Sequence, residues 1–243
     1  MKNQEISLSV VIPAYNESTR IGKTLRPTID YFKVNDIAAE ILVVSDGSSD
    51  GTRQTAEPFI SDFPGLSVIE YFPNRGKGYA VKTGMLAANG KRILFMDADY
   101  AVPIETIAKA HAIIDQGFDI AIGSRKAAGA DKVCRQAPLR EMASQLYAAL
   151  QNRWIKVDFS DTQCGFKMFT REAAQALFSQ QKLSSVIFDG EILFLAQRAG
   201  LKTGEFPVLW HHDPDSRITY NLRKSIQIII ELFNVRWLHR FGR

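Results

Sequence analysis

Short apolar runs alternate with longer amphipathic stretches along the first half of the chain. The runs are apolar at nearly every position, which is typical of parallel strands covered on both faces of a sheet. They lie at residues 7–13, 40–45, 66–72, 92–96 and 118–123. Apolar residues at helical spacing occur in residues 18–32, 51–60, 78–88 and 103–116. Ser18, Asp50 and Pro103 lie near the starts of these predicted helices, and Gly117 follows the end of the last one. The alternation predicts an α/β fold, a three-layer α/β/α sandwich with a mostly parallel central sheet.

The C-terminal stretch, YNLRKSIQIIIELFNVRWLHRFGR, carries two apolar stripes on a helix. One comprises Leu222, Ile226, Ile229, Ile230, Phe233 and Trp237, and the other, roughly opposite, comprises Ile228, Leu232 and Val235. We expect residues 1–217 to form the main domain and residues 218–243 a helical segment packed on it. The outer stripe is flanked by Arg223, Lys224, Arg236 and Arg240, which suits an anionic membrane surface. A dimer contact or complete burial is the alternative.

Composition and charge narrow the function classes. The 243 residues are 46% hydrophobic, enough for one large core. The formal net charge of +4 is too small to indicate nucleic-acid binding but is compatible with anionic substrates. Cys134 and Cys164 have no CxxC spacing and indicate no disulfide framework, so we expect a cytoplasmic protein. The sequence contains no run of about 18 apolar residues, so we predict no membrane-spanning helix.

Polar residues follow every predicted strand at the point where the strand ends. Parallel strands bring their carboxyl ends to one edge of the sheet, where ligands bind in such folds. The segments are PAYNE at residues 13–17, DGSSDG at 46–51, NRGKG at 74–78, DAD at 97–99 and SR at 124–125. Turn chemistry explains any one of them, but five along one edge indicate a binding site.

Asp97 and Asp99 follow the fourth apolar run directly, with only Ala98 between them. In an extended chain, the side chains of residues i and i+2 project to the same side, so the carboxylates of Asp97 and Asp99 can converge. A shared divalent cation would cancel both charges, and ligands that are all oxygen favour Mg²⁺ or Mn²⁺ over zinc. The alternative is an ordinary strand exit in which aspartate bonds to its own backbone.

The stretch NRGKGYAVKTGM suits an anion at a helix start. Gly76 and Gly78 let backbone amides approach a diphosphate, and Lys77 adds a positive charge. The stretch is not a Walker A loop, and Val81 breaks the GxGxxG pattern. PAYNE also lacks the glycine turn that follows the first strand of a dinucleotide-binding fold, which disfavours a dehydrogenase.

Seven stretches together resemble the family 2 glycosyltransferases, in order over about residues 7–217. They are SVVIPAYNE, VVSDGSSDGT, NRGKGYAVKTGM, FMDADY, IGSR, DTQCGFKMFTREAA and FDGEILFLAQRAG. The resemblance is to the dolichyl-phosphate glucosyltransferase and mannosyltransferase branch, and DTQCGFK with the downstream FD-x-E looks closer to the glucosyltransferases. It implies a GT-A fold, a UDP- or GDP-linked sugar donor and a divalent metal, Mg²⁺ or Mn²⁺.

The resemblance also implies the residues of the donor site. The nucleotide sugar would contact Pro13, Tyr15, Glu17, Asp46, Lys77, Asp97, Ala98 and Asp99. Of these, Asp46 would receive the base, and Asp97 and Asp99 would hold the metal. Ala101 stands where the mannosyltransferases often carry a glutamine, so no third protein ligand is implied. Asp161 and Gln163 would bond the hydroxyls of the donor sugar, unless DTQCGFKMF is a buried structural turn.

A polyprenyl-phosphate acceptor would require positively charged side chains in the site, because its phosphate must approach the diphosphate of the donor and both are anions. Its second pKa of about 6 makes it largely a dianion at neutral pH, so it needs no strong general base. The candidate phosphate-binding residues are Arg125, Arg135, Arg140, His211 and Arg217. Asp189, which we group with Arg125 and Arg217 as catalytic, would orient the acceptor or the sugar. If the acceptor were a hydroxyl, Asp189 would instead be the general base.

We therefore predict a metal-dependent, inverting glycosyltransferase that makes polyprenyl-phosphate glucose from UDP-glucose, peripheral at the inner face of the membrane and able to form homo-oligomers. Transfer to a glycan hydroxyl and a GDP-mannose-dependent mannosyltransferase remain open alternatives. A sugar-1-phosphate nucleotidyltransferase should show a GxGTR loop where this chain has PAYNE. A scaffold protein would not need Asp97, Asp99, Lys77 and Arg125 together.

Overall fold

The computed structural model describes residues 5–127, 129–132, 153–154, 159–211 and 222–240, with the backbone alone at residues 131–132 and 222–229. The strands are β1 (Leu8–Ala14), β2 (Ala39–Asp46), β3 (Leu66–Tyr71), β4 (Arg92–Met96), β5 (Ile120–Ser124), β6 (Asp131–Lys132), β7 (Phe166–Thr170), β8 (Thr203–Pro207) and β9 (Leu209–Trp210). The helices are α1 (Ile21–Val34), α2 (Thr52–Ala56), α3 (Phe59–Asp62), α4 (Lys77–Ala87), α5 (Ile107–Asp115), α6 (Arg171–Gln180), α7 (Phe188–Arg198) and α8 (Leu222–Leu238). A 3₁₀ turn, Ile104–Thr106, leads into α5.

Seven strands form one sheet in the order β3-β2-β1-β4-β7-β5-β8. β1 pairs in parallel with β2 and β4, β2 with β3, and β5 with β8, while β7 runs antiparallel between β4 and β5. β6 and β9 form a separate parallel pair. The predicted, mostly parallel sheet is confirmed, and the carboxyl ends of β1 to β5 lie at one edge.

Helices cover both faces of the sheet because its strands carry apolar side chains on both. On one face, α1 and α5 bury Leu25 and Ile107 in a cluster with Leu94 of β4. On the other face, α4, α6 and α7 bury side chains such as Val81 in a cluster with Phe95 of β4. Neighbouring residues of β4 therefore face opposite layers, and the three-layer prediction is confirmed.

Two predicted helix boundaries are wrong for identifiable reasons. Residues 51–60 form two short helices, α2 and α3, with Pro58 between them, because proline lacks the amide that a continuous helix needs. α1 begins at Ile21 rather than at Ser18, since the Ser18 amide donates to the Asp50 carboxylate at 3.0 Å.

The segment DTQCGFKMF combines a loop and a strand. Residues 161–165 form a polar loop, and the remaining residues enter β7, the antiparallel strand in the middle of the sheet. Neither β7 nor β8 is predicted by the hydrophobic pattern, because β7 carries Lys167 on an interior position and β8 is short with Gly204 and Glu205 inside it. A helix-like stretch at residues 139–154 lies almost entirely outside the described residues.

The C-terminal helix α8 packs on the face of the sheet that carries α4, α6 and α7. Leu232 and Val235, from the second predicted stripe, are buried there. Ile230, Phe233 and Trp237, from the first stripe, are 53%, 45% and 67% exposed. Among the described helices, none combines the length and apolar character needed to cross a bilayer.

Buried Glu191 of α7 contacts His239, which directly follows α8, and so links the two helices. Its carboxylate accepts hydrogen bonds from the backbone amides of Lys182 at 2.8 Å and Leu183 at 2.9 Å, and it lies 2.6 Å from Nε2 of buried His239. In the sequence, Glu191 stands out only as the last residue of the FD-x-E motif. Its partners come from two other segments of the chain, so the link is a tertiary feature.

Candidate functional site

The loops after β1 and β2 are joined side by side at the carboxyl edge of the sheet. Asn16, which adopts a left-handed φ of 56°, accepts a hydrogen bond from the Ser49 amide at 2.9 Å. The amide of Glu17 donates to the Thr52 hydroxyl at 2.8 Å. The Glu17 carboxylate binds the guanidinium of Arg20 at 2.6 Å. Two of the predicted edge segments therefore form one surface.

Asp46 ends β2 and organises the glycine-rich loop. Its buried carboxylate accepts hydrogen bonds from the amides of Arg75 at 2.7 Å and Gly76 at 2.9 Å, and from the Asn74 side chain at 2.8 Å. Burial and the charge of Asp46 raise the pKa of the neighbouring Tyr71 phenol. Asp46 thus holds residues 74–76 beside β2, at the position where the sequence predicts a nucleotide.

The glycine-rich loop rests against residues 183–185. Gly76 has a φ of 97°, and a Cβ there would lie 2.4 Å from the carbonyl oxygen of Ser184, so only glycine fits. The Gly78 amide donates to that same oxygen at 2.8 Å. α4 begins at Lys77, which places its positive N-terminal end at the edge of the sheet.

Asp97 is fixed by the loop before β7 and paired with Lys77. Its amide donates to the carbonyl oxygen of Gly165 at 3.0 Å. A Cβ on residue 165 would lie 2.0 Å from the Asp97 carboxylate, so glycine leaves the space that this carboxylate fills. The Lys77 ammonium lies 2.6 Å from Oδ1 of Asp97. Burial opposes the Lys77 charge, but Asp97 and Asp189 outweigh it and raise the pKa of Lys77.

Asp99 lies within electrostatic reach of Asp97, as the spacing predicts. Burial and then the negative charge of Asp97 raise the pKa of Asp99 to about 6. Its Oδ1 accepts a hydrogen bond from the Ala101 amide at 3.0 Å. The Thr24 hydroxyl donates to the carbonyl of Ala98 at 2.6 Å and ties the pair to α1. A bound cation would relieve the repulsion between the two carboxylates.

Arg125 follows β5, and Asp161 binds its guanidinium. Nε and Nη2 donate to the two carboxylate oxygens at 2.6 and 2.9 Å, and the Arg125 amide donates at 3.1 Å. Burial acts in the opposite direction, but the hydrogen bond and charge of Arg125 lower the pKa of Asp161 to about 2. The predicted phosphate contact of Arg125 must therefore share the guanidinium with Asp161.

Asp189 and Lys167 form an ion pair inside the protein, beside the aspartate pair. Lys167 is 1% exposed and Asp189 is 4% exposed. The Lys167 ammonium donates to Oδ1 of Asp189 and to the Cys164 carbonyl, both at 2.6 Å. Burial raises the pKa of Asp189, although the charges of Lys167 and Lys77 act against that rise.

The other predicted residues lie in different environments. Pro13 is buried within β1, and Tyr15 is half exposed at its end. The Gln163 side-chain nitrogen is buried and has no hydrogen-bond partner among the described residues. The exposed His211 lies beside the aspartate pair, because its amide donates to the Ala101 carbonyl at 2.9 Å. Arg135, Arg140 and Arg217 lie outside the described residues.

Cys164 is a packed thiol. It is buried and unpaired, and burial raises its pKa to about 12.

A family model described as glycosyl transferase family 2 matches residues 9–178, which include every edge segment described above. The chain belongs to glycosyl transferase family 2. A dolichyl-phosphate beta-glucosyltransferase of Trichomonas vaginalis is 32% identical to this glycosyltransferase over 247 residues, covering 98% of this chain and 75% of that protein. The Saccharomyces cerevisiae protein of the same description is 33% identical over 258 residues, covering 99% and 77%.

Solved structures confirm the GT-A fold of this glycosyltransferase. Glucosyl-3-phosphoglycerate synthase of Mycobacterium tuberculosis has a TM-score of 0.67 at 20% identity, covering 94% of this chain and 80% of that chain. A mannosyltransferase of Pyrobaculum calidifontis has a TM-score of 0.63 at 21% identity, covering 99% and 66%.

Sequence reasoning missed two structural residues of the glycosyltransferase site. Gly165 belongs to the DTQCGFKMF motif, which does not reveal that its missing side chain admits the Asp97 carboxylate. Lys167 is the second, and the signal for its buried ion pair is a lone lysine inside the apolar stretch FKMFT.

Proposed function

We propose that this glycosyltransferase transfers glucose, with inversion, from UDP-glucose to a polyprenyl or dolichyl phosphate. The similar proteins that align over nearly all of this chain are described as dolichyl-phosphate beta-glucosyltransferases, a name that includes both sugar and acceptor. One structural neighbour was solved with Mn²⁺ and UDP-glucose. Another was solved with GDP-Man and Mn²⁺, which keeps a mannose donor as the alternative.

The nucleotide sugar lies along the carboxyl edge of the sheet. Tyr15 and Glu17 contact the nucleoside, and Asp46, whose buried carboxylate also holds the glycine-rich loop, receives the base. The diphosphate lies at the N-terminus of α4, where the helix dipole and Lys77 both favour an anion. Gln163 contacts a sugar hydroxyl, which supplies a partner for its buried amide.

Asp97 and Asp99 hold the divalent cation, Mg²⁺ or Mn²⁺. Mg²⁺ is commonly held by one or two carboxylates together with substrate phosphates, so a pair of aspartates fits it. The described part of the chain contains no group of three or more His, Cys, Asp or Glu side chains placed for a metal. When bound, the ion supplies Lewis-acid stabilisation of the departing diphosphate.

The burial of Asp189 is the observation that favours a phosphate acceptor over a hydroxyl. Asp189 is our candidate base for a hydroxyl acceptor, yet it is 4% exposed and bound by Lys167 at 2.6 Å. A phosphate with a second pKa of about 6 is already largely a dianion and needs no base. It needs cations instead, and our candidates remain Arg125, Arg135, Arg140, His211 and Arg217.

The exposed stripe of α8 brings the enzyme to its lipid acceptor. Ile230, Phe233 and Trp237 form an apolar surface with the exposed Arg236 and Arg240 beside it. Such a surface suits peripheral binding to anionic lipid, at the cytoplasmic face. Sedimentation with phosphatidylglycerol vesicles tests this, with Trp237→Ser expected to lose binding. If the stripe forms a dimer contact instead, sedimentation velocity should detect a dimer that Trp237→Ser disrupts, and the protein should not bind the vesicles.

The test of the proposed function crosses three donors with two acceptors. UDP-glucose, UDP-N-acetylglucosamine and GDP-mannose are each incubated with a short polyprenyl phosphate or a glycan carrying free hydroxyls, and products are identified by mass spectrometry. We expect glucose to appear on the polyprenyl phosphate. Transfer only to the glycan would overturn the acceptor assignment, and transfer only from GDP-mannose would overturn the donor.

A further inference from the structure

We propose that the Lys77 ammonium occupies the place of the divalent cation at Asp97 until the nucleotide sugar arrives, so that metal binding depends on the donor. The inference rests on the proposed function, because it concerns the metal that Asp97 and Asp99 would hold. It starts from one contact, the 2.6 Å distance between Nζ of Lys77 and Oδ1 of Asp97. A cation that takes this oxygen must compete with the ammonium for it.

Asp97 is not free to move away from Lys77. Its amide is bound to the Gly165 carbonyl at 3.0 Å, and its carboxylate fills the space where residue 165 has no side chain. The following residue, Ala98, is tied to Thr24 of α1 at 2.6 Å. A cation that takes Oδ1 of Asp97 must therefore compete with the ammonium rather than draw the carboxylate elsewhere.

Lys77 can move only through its side chain. Its backbone is fixed between Gly76 and Gly78, both of which pack against the Ser184 carbonyl. The lysine stem has four rotatable carbons, and the side chain is 28% exposed, so the ammonium can rotate away from Asp97. From the first position of α4, it then reaches only the surroundings of that helix N-terminus, where we place the diphosphate.

The diphosphate makes this exchange favourable. A divalent cation alone would enter beside a displaced ammonium and be repelled by it. A diphosphate brings negative charge for both, so Lys77 would donate to a phosphate oxygen and leave Asp97 available to hold the metal. The coupling is reciprocal, so the metal must strengthen nucleotide binding by the same factor.

Mn²⁺ binding by the full chain, followed through the electron paramagnetic resonance signal of free Mn²⁺, tests the proposal without turnover. The variants are Lys77→Met, which removes the charge, Lys77→Arg, which keeps it, and Lys23→Met, which removes an exposed lysine of α1. Each is measured with and without UDP. Circular dichroism checks that each variant is folded, and Lys77→Gln replaces Lys77→Met if the latter is not.

We expect wild type to bind Mn²⁺ weakly alone and more tightly with UDP. Lys77→Met should bind Mn²⁺ without UDP about tenfold more tightly, because a charge-assisted competitor is gone. Its gain from UDP should shrink, whereas Lys77→Arg, which keeps the charge, should not gain Mn²⁺ affinity in the absence of UDP, and Lys23→Met should match wild type. Unchanged or weaker Mn²⁺ binding by Lys77→Met without UDP would overturn the proposal for Lys77 alone. If wild type bound no Mn²⁺ even with UDP, the metal role in the proposed function would fall, and this inference with it.

Discussion

Lys167→Met is predicted to destabilise the protein severely by leaving Asp189 charged and unpaired inside it. Two unit charges about 4 Å apart attract by about 4 kcal/mol at an effective dielectric constant of about 20. Removing one partner of a buried pair costs about 3–5 kcal/mol, since the remaining charge stays desolvated. With Lys167 and Asp189 at 1% and 4% exposure, water does not screen the pair, so we expect the full range. That loss is a large part of the free energy of unfolding of a typical domain, which is about 5–15 kcal/mol.

The free energy of unfolding, from urea titrations followed by tryptophan fluorescence, measures this loss at pH 5 and pH 8. Burial already raises the pKa of Asp189, and losing Lys167 raises it further. A carboxyl whose pKa is raised in the folded protein does not lower the free energy of unfolding below its unfolded pKa of about 3.9. It lowers that free energy increasingly as the pH rises towards the folded pKa. The deficit of Lys167→Met should therefore be larger at pH 8 than at pH 5.

The double variant Lys167→Met, Asp189→Asn provides the decisive control. It removes both charges, so it should recover most of the stability and lose the pH dependence. Lys109→Met is the matched surface control, because exposed Lys109 also donates to a carbonyl, that of Pro207 at 3.0 Å. We expect it to change stability by no more than about 0.5 kcal/mol. A Lys167→Met deficit below about 1 kcal/mol, or a double variant as unstable as the single one, would refute the reasoning.

Three further substitutions test other parts of the account. Gly165→Ala should displace the Asp97 carboxylate, whose space its Cβ would enter, and lower kcat at least about tenfold while circular dichroism stays unchanged; wild-type kcat would contradict the packing argument. Asp161→Asn should cost about 2–3 kcal/mol in urea unfolding at pH 7, because Arg125 lowers the pKa of Asp161 to about 2. That stability is present above about pH 4 and lost as pH falls towards 2, so equal stabilities of variant and wild type at pH 7 would contradict it. His239→Ala should free α8 from Glu191 and speed proteolysis near the C-terminus, whereas an unchanged rate would mean that the remaining contacts of α8 suffice.

The layered fold was predictable because it follows from local pattern. Each apolar run, such as residues 92–96, carries apolar side chains on both faces and ends in polar residues, and the parallel order brings those ends together. Asp46 and Asp97 could therefore be assigned to one edge without coordinates. Pro58 shows the limit of that method, because one proline inside a helical pattern split the predicted helix.

The supports of the site were not predictable, because they depend on contacts between distant segments. Gly165 matters through the carboxylate of Asp97, which directly follows strand β4, and no local pattern reports that distance. Lys167 interrupts an apolar strand, and its partner Asp189 follows only after a whole helix, α6. The pairing of Arg125 with Asp161 likewise joins two loops, so sequence reasoning assigned each side chain to substrate rather than to the other.

The most direct test of the central claim is glucose transfer from UDP-glucose to a short polyprenyl phosphate by wild type and Asp99→Asn, with Mg²⁺ or with EDTA. The account predicts a glucosylated lipid phosphate from wild type with Mg²⁺, and almost none with EDTA or from the folded variant. Wild-type rates from Asp99→Asn, or full activity in EDTA, would contradict it.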